Sequence, residues 1–198
     1  MLNKTNLILA SSSPRRQELI RSLNLPYTIC VSDVDETLTE IVTPAEMVKV
    51  LSAKKAVAVY DKIRSEQKDG IVIGADTIVV KDGKILGKPK DKNDAISKLQ
   101  HLQGAAHEVF SGIACIDLTT GKKIVKSQTT IVHMKSLQTD QIERYVNTGE
   151  PMDKAGAYAI QGLGATMVDS IEGSYTNVVG LSLSLLSDML LEFGIEVI

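Results

Sequence analysis

The sequence predicts a mixed α/β fold, and three observations support this class. Short apolar runs alternate with helical patterns in the first third of the chain. The run Ile71–Ala75 contains no polar side chain, which is typical of a strand covered on both faces of its sheet. Two long β-rich runs follow later, at Glu108–Asp117 and Lys122–Met134. Alternation followed by long hairpins indicates one mixed sheet with helices packed against it.

Capping and turn residues place the other elements. A second strand is predicted over Tyr27–Val31. Hairpins are predicted with turns at Asp82-Gly83 and Glu172-Gly173. The stretch Gly149–Gly164 is rich in glycine and polar residues, as functional connections often are. Helices are predicted to begin at or directly after Ser13, Thr43, Asp91, Thr139 and Ser182.

Length and composition limit the possible functions. A chain of 198 residues suits one domain over 1–198, built of two lobes. The net charge of −2 gives no bulk positive field, so we expect neither nucleic acid nor a membrane surface as a partner. We find no signal peptide and no apolar run of about 18 residues, so we expect a cytoplasmic protein. Cys30 and Cys115 lie in apolar runs and are expected to be reduced, buried thiols.

The hydroxyl-rich loop before the first helix is a candidate anion site. Ser11, Ser12 and Ser13 follow the first strand, and Pro14 and Arg15 come next. Ser13 suits the N-cap and Pro14 the first helical position, because its missing N–H needs no partner there. Free N–H groups, hydroxyls, the positive end of the helix dipole and Arg15 would together favour a phosphate. The alternative is an ordinary capped helix with solvated arginines.

Asp76 is the strongest single candidate for a functional residue. We expect it just past the end of the strand Ile71–Ala75, beside Thr77, where ligands bind in open α/β sheets. A carboxylate at that place suits a general base or a metal ligand. The alternative is a structural Asp that forms an Asx-turn at the following hairpin.

A second acidic group lies in the loop after Tyr27–Val31 and contains Asp33, Asp35 and Glu36. Its hard oxygen atoms suit Mg²⁺ or Mn²⁺, although many such clusters are plain solvated loops. The run Asp33–Leu38 also looks like the aspartyl-phosphate motif of haloacid-dehalogenase phosphatases. A phosphatase of that type is therefore kept as an alternative.

The segment Gly83–Pro89 does not match a P-loop, because three residues rather than four separate its glycines and Pro89 follows Lys88. Lys88 still suits a phosphate contact as a point charge. No covalent nucleophile stands out, so the charged groups favour metal-assisted hydrolysis of a phosphate ester or anhydride. The basic groups are Arg15, Arg16, Lys55, Lys88 and Lys154, and the acidic groups are Glu36, Asp76 and Asp91.

Four motifs are spread over nearly the whole chain: Ser11–Leu19, Gly74–Thr77, Gly87–Pro89 and Glu150–Gly162. Together they closely resemble the Maf family of nucleoside triphosphate pyrophosphatases. The resemblance implies an inosine-triphosphatase-like α/β fold, with two lobes around a long mixed sheet and a nucleotide cleft between them. It implies cleavage between the α- and β-phosphates with a divalent metal such as Mg²⁺, Mn²⁺ or Co²⁺. It also implies a homodimer and a link to cell-division arrest or septum formation.

The resemblance extends to single residues. Asp76 looks like the catalytic base, and Arg15, Thr77 and Gln161 look like the trio that marks the branch acting on dTTP and UTP. Ala159 departs from the family pattern, where glycine is more usual, and its methyl group would narrow the pocket. The predicted site contains Asp76 as base; Ser11, Arg15, Lys55, Thr77, Lys88, Lys154 and Gln161 for substrate; and Glu36, Asp76 and Asp91 for metal.

A second hypothesis comes from a different class of function. The same pocket would suit a non-catalytic nucleotide-binding protein associated with the septum. Metal-dependent release of pyrophosphate from UTP separates this hypothesis from the enzyme.

Overall fold

A computed structural model describes residues 5–31, 33–37, 42–67 and 69–198. The class is mixed α/β, as predicted. The strands are β1 (Leu7–Leu9), β2 (Tyr27–Ile29), β3 (Ile71–Lys81), β4 (Lys84–Leu86), β5 (Ala106–Asp117), β6 (Lys123–Met134) and β7 (Val168–Glu172). The helices are α1 (Pro14–Ser22), α2 (Pro44–Ile63), α3 (Lys92–Leu102), α4 (Thr139–Asn147), α5 (Tyr175–Val179) and α6 (Leu183–Leu191). Short 3₁₀ turns cover Glu150–Asp153, Ala155–Ala157 and Gly162–Met167.

The described strands form one sheet in the order β2-β1-β3-β5-β6-β7, with β4 paired to β3. β1 runs parallel to β2 and β3, and Leu9 lies opposite Ile29 and Ile73. β4 runs antiparallel to β3, and β7 runs antiparallel to β6. The sheet is therefore mixed, which confirms the predicted combination of α/β alternation and later hairpins.

The chain divides into two compact units. The first unit contains the described residues up to Asp76, together with Ser111–Gln128 and Gly180–Ile198. The second unit contains Thr77–Phe110 and Thr129–Val179. A single domain over 1–198 stays a prediction. Among the described residues, no helix combines the length and the apolar character needed to cross a membrane.

In the first unit, alternate residues of β1 and β3 pack on opposite faces, as the two-residue period of a strand requires. One face joins a cluster with α1 and α6, which includes Leu7, Leu9, Ile20, Ile71, Ile73, Leu186 and Met189. The other face joins a cluster with α2, which includes Ile8, Ala10, Ala56, Val59 and Val72. Both faces are covered, and this explains the unbroken apolar run in β3.

Two glycines allow α2 to pack closely on the strands. A Cβ atom at Gly74 would lie 2.2 Å from the Ser52 carbonyl oxygen, and one at Gly112 would lie 2.1 Å from that of Val48. Any side chain at either strand position would therefore push the helix away. Lys55 follows Ser52 by about one helical turn, and Asp76 shares the face of Gly74. The close packing of α2 thus brings Lys55 over Asp76.

The second unit has its own core, built mainly by α3, α4 and the strands. It includes Leu99, Leu102, Val109, Val132, Ile142, Val146 and Tyr158.

The predicted turn between β3 and β4 is confirmed, since Asp82 and Gly83 have positive φ values of 50° and 72°. Two consecutive residues with positive φ are typical of the tight hairpin turn that Asp-Gly favours.

Two predicted boundaries and one predicted hairpin are wrong. β2 ends at Ile29 rather than at Val31. β3 does not end before Asp76 but continues to Lys81, because the β-branched residues after Asp76 extend the strand without a turn former. No hairpin turn forms at Gly173: the Ser174 hydroxyl accepts the Asn177 N–H at 3.3 Å, and the chain enters α5.

Candidate active site

The centre of the candidate site is a lysine between two carboxylates, all in the first unit. Lys55 Nζ lies 2.6 Å from Asp76 Oδ1 and 2.9 Å from Glu36 Oε1. The side chains of Asp76 and Lys55 are only 9% and 14% exposed, whereas that of Glu36 is 58% exposed. The arrangement is a buried ion pair with a solvent-facing carboxylate at its edge. Three of the predicted site residues are thus brought together.

Arg16 is a charged neighbour of this pair. The sequence named it as a basic group but did not place it in the predicted site. Its Nε donates to the Gly180 carbonyl oxygen at 2.8 Å, within the first unit. Burial lowers the pKa of the Arg16 guanidinium, while the charges of Asp76 and Glu36 oppose this shift. The sequence shows two adjacent arginines, and only the fold shows that the second one faces the carboxylates.

The N-terminus of α1 has the predicted form. Ser13 is the N-cap in an extended conformation, Pro14 occupies the first turn, and the Ser13 side chain makes no capping hydrogen bond. The buried Ser11 hydroxyl accepts the Ser13 N–H at 3.2 Å, and Arg15 is half-buried. Ser11 therefore supports the loop itself, and its contact with substrate stays a prediction.

In the second unit, Lys88 and Lys154 lie on segments that contact each other. The Gly156 N–H donates to the Gly87 carbonyl oxygen at 3.3 Å, which ties the loop of Lys88 to the turn after Lys154. Lys88 is exposed. Lys154 Nζ contacts the Glu150 carbonyl oxygen at 2.5 Å and Asp153 Oδ1 at 2.6 Å. Lys154 therefore already holds its own loop together, and its role toward substrate stays a prediction.

Gln161 also lies in the second unit, directly before the 3₁₀ turn Gly162–Met167. It is the N-cap residue of that turn, yet its side chain makes no capping hydrogen bond. The Glu150 carboxylate instead accepts the N–H groups of Leu163 and Gly164, at 3.1 Å and 2.9 Å. Sequence reasoning missed Glu150, because a carboxylate that binds backbone donors so many residues away leaves no local pattern.

Asp91 and Thr77 have simpler surroundings. Asp91 Oδ1 accepts the Asp94 N–H at 2.8 Å and caps α3, as its place before the helix predicted. Its role as a metal ligand stays a prediction. Thr77 follows Asp76 within β3, so its side chain leaves the strand on the opposite face.

The motif segment before Gln161 is held by a buried histidine. His107 Nε2 lies 2.7 Å from the Tyr158 hydroxyl, and the two rings meet edge to face. Burial, together with the charges of Lys81 and His133, lowers the pKa of His107 to about 4. Ala157 has φ of 58°, a left-handed conformation that costs energy for any residue with a Cβ. Ala159 is outside that region of φ, so its methyl group is compatible with the backbone.

The two cysteines differ in their surroundings. Cys115 is fully buried, and burial raises its pKa to about 12, so it is not a nucleophile at neutral pH. Cys30 is only half-buried, which corrects the expectation of two fully buried thiols.

The residues present fit a divalent cation that substrate would help to bind. No group of three or more His, Cys, Asp or Glu side chains among the described residues is arranged to hold a metal ion. Asp76 and Glu36, however, both contact the same ammonium, so a cationic group already lies between their oxygen atoms. Mg²⁺ is usually bound by one or two carboxylates with phosphate oxygens completing its shell. This pair of hard oxygen donors matches that pattern.

Comparison with known proteins identifies the family. The family model described as Maf-like protein matches residues 6–193. A dTTP/UTP pyrophosphatase of Desulforamulus reducens is 53% identical over 192 residues, covering 97% of this chain and 98% of its own. One from Pelotomaculum thermopropionicum is 50% identical with the same coverage. A solved dITP/XTP pyrophosphatase from Mycobacterium abscessus is 12% identical over 95% of this chain and 97% of its own, with a TM-score of 0.42, and adds nothing to the assignment. The two sequence relatives and the family model leave one conclusion: this chain is a member of the Maf family.

Proposed function

We propose that this protein is a nucleoside triphosphate pyrophosphatase that hydrolyses dTTP and UTP to the monophosphate and pyrophosphate. Relatives about half identical over nearly the whole chain carry the name dTTP/UTP pyrophosphatase. The observation that carries the proposal is the buried contact of Lys55 with Asp76, beside Glu36. It supplies a water-shielded carboxylate with an adjacent cation, which suits hydrolysis of a phosphoanhydride.

In this mechanism Asp76 takes a proton from a water molecule that attacks the α-phosphorus. A new P–O bond forms as the bond from the α-phosphorus to the bridging oxygen breaks, and pyrophosphate leaves with the electron pair. Lys55 occupies Asp76 Oδ1, so Oδ2 is the oxygen that we assign to the water. Arg15 and Lys88 bind the phosphates, Arg15 through paired N–H donors and Lys88 as a point charge. Ser11 and Lys154 complete the phosphate contacts.

A divalent cation, Mg²⁺, Mn²⁺ or Co²⁺, is the cofactor that we propose. Asp76 and Glu36 would hold it together with substrate phosphate oxygens, with Asp91 as the third predicted ligand. When bound, it would neutralise charge that develops on the phosphates.

Base selection is assigned to Gln161, with Arg15 and Thr77. The amide of Gln161 offers one donor group and one acceptor to a base edge. Uracil and thymine share the pattern of O2, N3–H and O4, whereas cytosine reverses the polarity at two of these positions. A mismatched cytosine would leave polar groups unpaired, which is a strong basis for discrimination.

The test is a panel of UTP, dTTP, CTP, ATP, GTP and the monophosphate UMP, read out for pyrophosphate and for inorganic phosphate. We expect pyrophosphate from UTP and dTTP, with kcat/KM at least about 100-fold above CTP. Inorganic phosphate from a monophosphate would instead support the haloacid-dehalogenase alternative. Tight binding without turnover would support the non-catalytic alternative. A preference for GTP or ATP would contradict the assigned branch.

Three further expectations belong to this proposal. A homodimer, a cytoplasmic location and a connection to septum formation stay predictions. Sedimentation of the purified protein tests the first, and fluorescence imaging of the tagged chain in dividing cells tests the other two.

A further inference from the structure

Glu150 caps the 3₁₀ turn that directly follows Gln161. Its Oε1 accepts the Gly164 N–H at 2.9 Å and the Tyr145 hydroxyl at 2.9 Å, and its Oε2 accepts the Leu163 N–H at 3.1 Å. These N–H groups belong to the start of the 3₁₀ turn Gly162–Met167. The N-cap residue normally satisfies such groups with its own side chain. Here the N-cap residue is Gln161, and Glu150 takes its place.

The loop around Gln161 is tight and depends on this carboxylate. A Cβ atom at Gly164 would lie 2.3 Å from the Ala159 carbonyl oxygen, so the two ends of the loop are in backbone contact. A Cβ atom at Gly162, where φ is +65°, would lie 2.8 Å from Glu150 Oε2. Glycine at 162 therefore allows the carboxylate to reach the turn directly.

The carboxylate is held in its charged form. Burial disfavours the charge on Glu150, but the N–H groups of Gly164 and Leu163, the Tyr145 hydroxyl and the charge of Lys154 together outweigh this effect and lower its pKa. A charged acceptor makes stronger hydrogen bonds to backbone donors than a neutral one. The start of the turn is therefore fixed by charge-assisted bonds.

The consequence concerns the amide of Gln161. The Gln161 side chain makes no capping hydrogen bond to the turn, and the residue is only half-buried. Without Glu150, the N–H groups of Leu163 and Gly164 would lose this acceptor, and they are the groups that the side chain of an N-cap residue, here Gln161, ordinarily binds. With Glu150 in place, both polar ends of the amide remain available to a base.

We infer that Glu150 is a positioning residue for nucleobase selection: it caps the turn so that Gln161 presents its amide to the base. The inference rests on the proposed function, in which Gln161 contacts the base. It adds a residue that does not touch substrate and acts only through the turn.

The test compares Glu150→Gln with Gln161→Ala and with the double variant, using kcat/KM for UTP and CTP. Glu150→Gln keeps the size of the side chain. Whichever way its amide turns, its NH₂ group faces the N–H of Leu163 or of Gly164, and one bond is lost. We expect the UTP-to-CTP ratio to fall about tenfold or more, while kcat for UTP stays within about threefold. In the double variant we expect the UTP-to-CTP ratio to be no lower than in Gln161→Ala alone, because both changes act on the same amide.

Two other variants separate positioning from a general loss of structure. Glu143→Gln makes the same chemical change at an exposed position of α4 and should leave the ratio unchanged. Gly162→Ala pushes on the carboxylate without removing its charge and should also lower the ratio, which keeps the test decisive if Glu150→Gln does not fold. Calorimetry with non-hydrolysable analogues of UTP and CTP should show the same loss of discrimination in binding.

The outcomes are distinct. A folded Glu150→Gln or Gly162→Ala protein with the wild-type ratio would overturn the inference and leave the proposed function intact. Additive effects in the double variant would also overturn it, since the two residues would then act separately. A wild-type protein that releases pyrophosphate from UTP and CTP equally well would overturn both.

Discussion

Lys55 Nζ lies 2.6 Å from Asp76 Oδ1 in a contact that is almost completely shielded from water. The replacement Lys55→Met should destabilise the fold by about 3 kcal/mol, because it leaves a buried carboxylate without its partner. Glu36→Gln should cost less than about 1 kcal/mol, because the Glu36 end of the same bridge is exposed. Urea unfolding followed by circular dichroism measures both values. If both variants lost the same small amount of unfolding free energy, the contact of Lys55 with Asp76 would not behave as a buried ion pair.

Arg15 should contribute directly to phosphate binding. Arg15→Ala is expected to weaken the binding of a non-hydrolysable triphosphate by about tenfold or more, which is the effect of losing a hydrogen bond to a charged group. Arg15→Lys should recover only part of the affinity, because an ammonium does not reproduce two parallel N–H donors. Calorimetric titration gives the dissociation constants. Arg21→Ala, an exposed arginine in the last turn of the same helix, is the control and should bind as the wild type does.

Removal of divalent cations should abolish hydrolysis of UTP. The carboxylates of Asp76 and Glu36 are few for a preformed metal cage, so binding should depend on the nucleotide phosphates. Dialysis against EDTA, followed by addition of Mg²⁺, Mn²⁺ or Co²⁺, should restore pyrophosphate release. Full activity in the presence of EDTA would contradict the metal requirement.

His107 should make stability depend on pH in a defined window. Its pKa is about 4 in the folded protein, against 6.5 for an unperturbed histidine, so between these values the unfolded chain binds more protons. The free energy of unfolding therefore falls as the pH drops from about 6.5 through 4. Between pH 7 and pH 5, this residue alone should lower it by about 2 kcal/mol. Urea unfolding of wild type and His107→Gln at both pH values measures the difference.

The control for this prediction is His101→Gln, since His101 is 41% exposed. It should retain the pH dependence of the wild type, whereas His107→Gln should show a flatter one. If His107→Gln shows the same slope as the wild type, the burial of His107 does not govern the titration.

Local signals predicted much of the fold correctly. Thr43 and Asp91 cap α2 and α3 as expected, and Ser182 caps α6. These features depend on residues within one turn of each other, so the sequence contains them directly. The end of β3 was not predictable in this way. Asp is unfavourable in strands, but the β-branched residues after Asp76 and pairing within the sheet outweigh that preference.

The sequence predicted which residues belong to the site but not which of them contact each other. Asp76, Lys55 and Glu36 were all selected as candidates, but nothing local indicates that one ammonium joins them. That contact depends on Gly74 and Gly112, whose missing side chains let α2 approach the strands. Glu150 was missed for the same reason, because its partners Leu163 and Gly164 are distant in the chain.

The rate of pyrophosphate release from UTP by Asp76→Asn, compared with the wild type under saturating nucleotide and metal, tests the central claim most directly. The substitution keeps the shape of the side chain and removes the base, so kcat should fall by about 10²–10⁴-fold, while the affinity for a non-hydrolysable analogue changes far less. An Asp76→Asn protein that turns over UTP at close to the wild-type rate would contradict the assignment of Asp76 as the base.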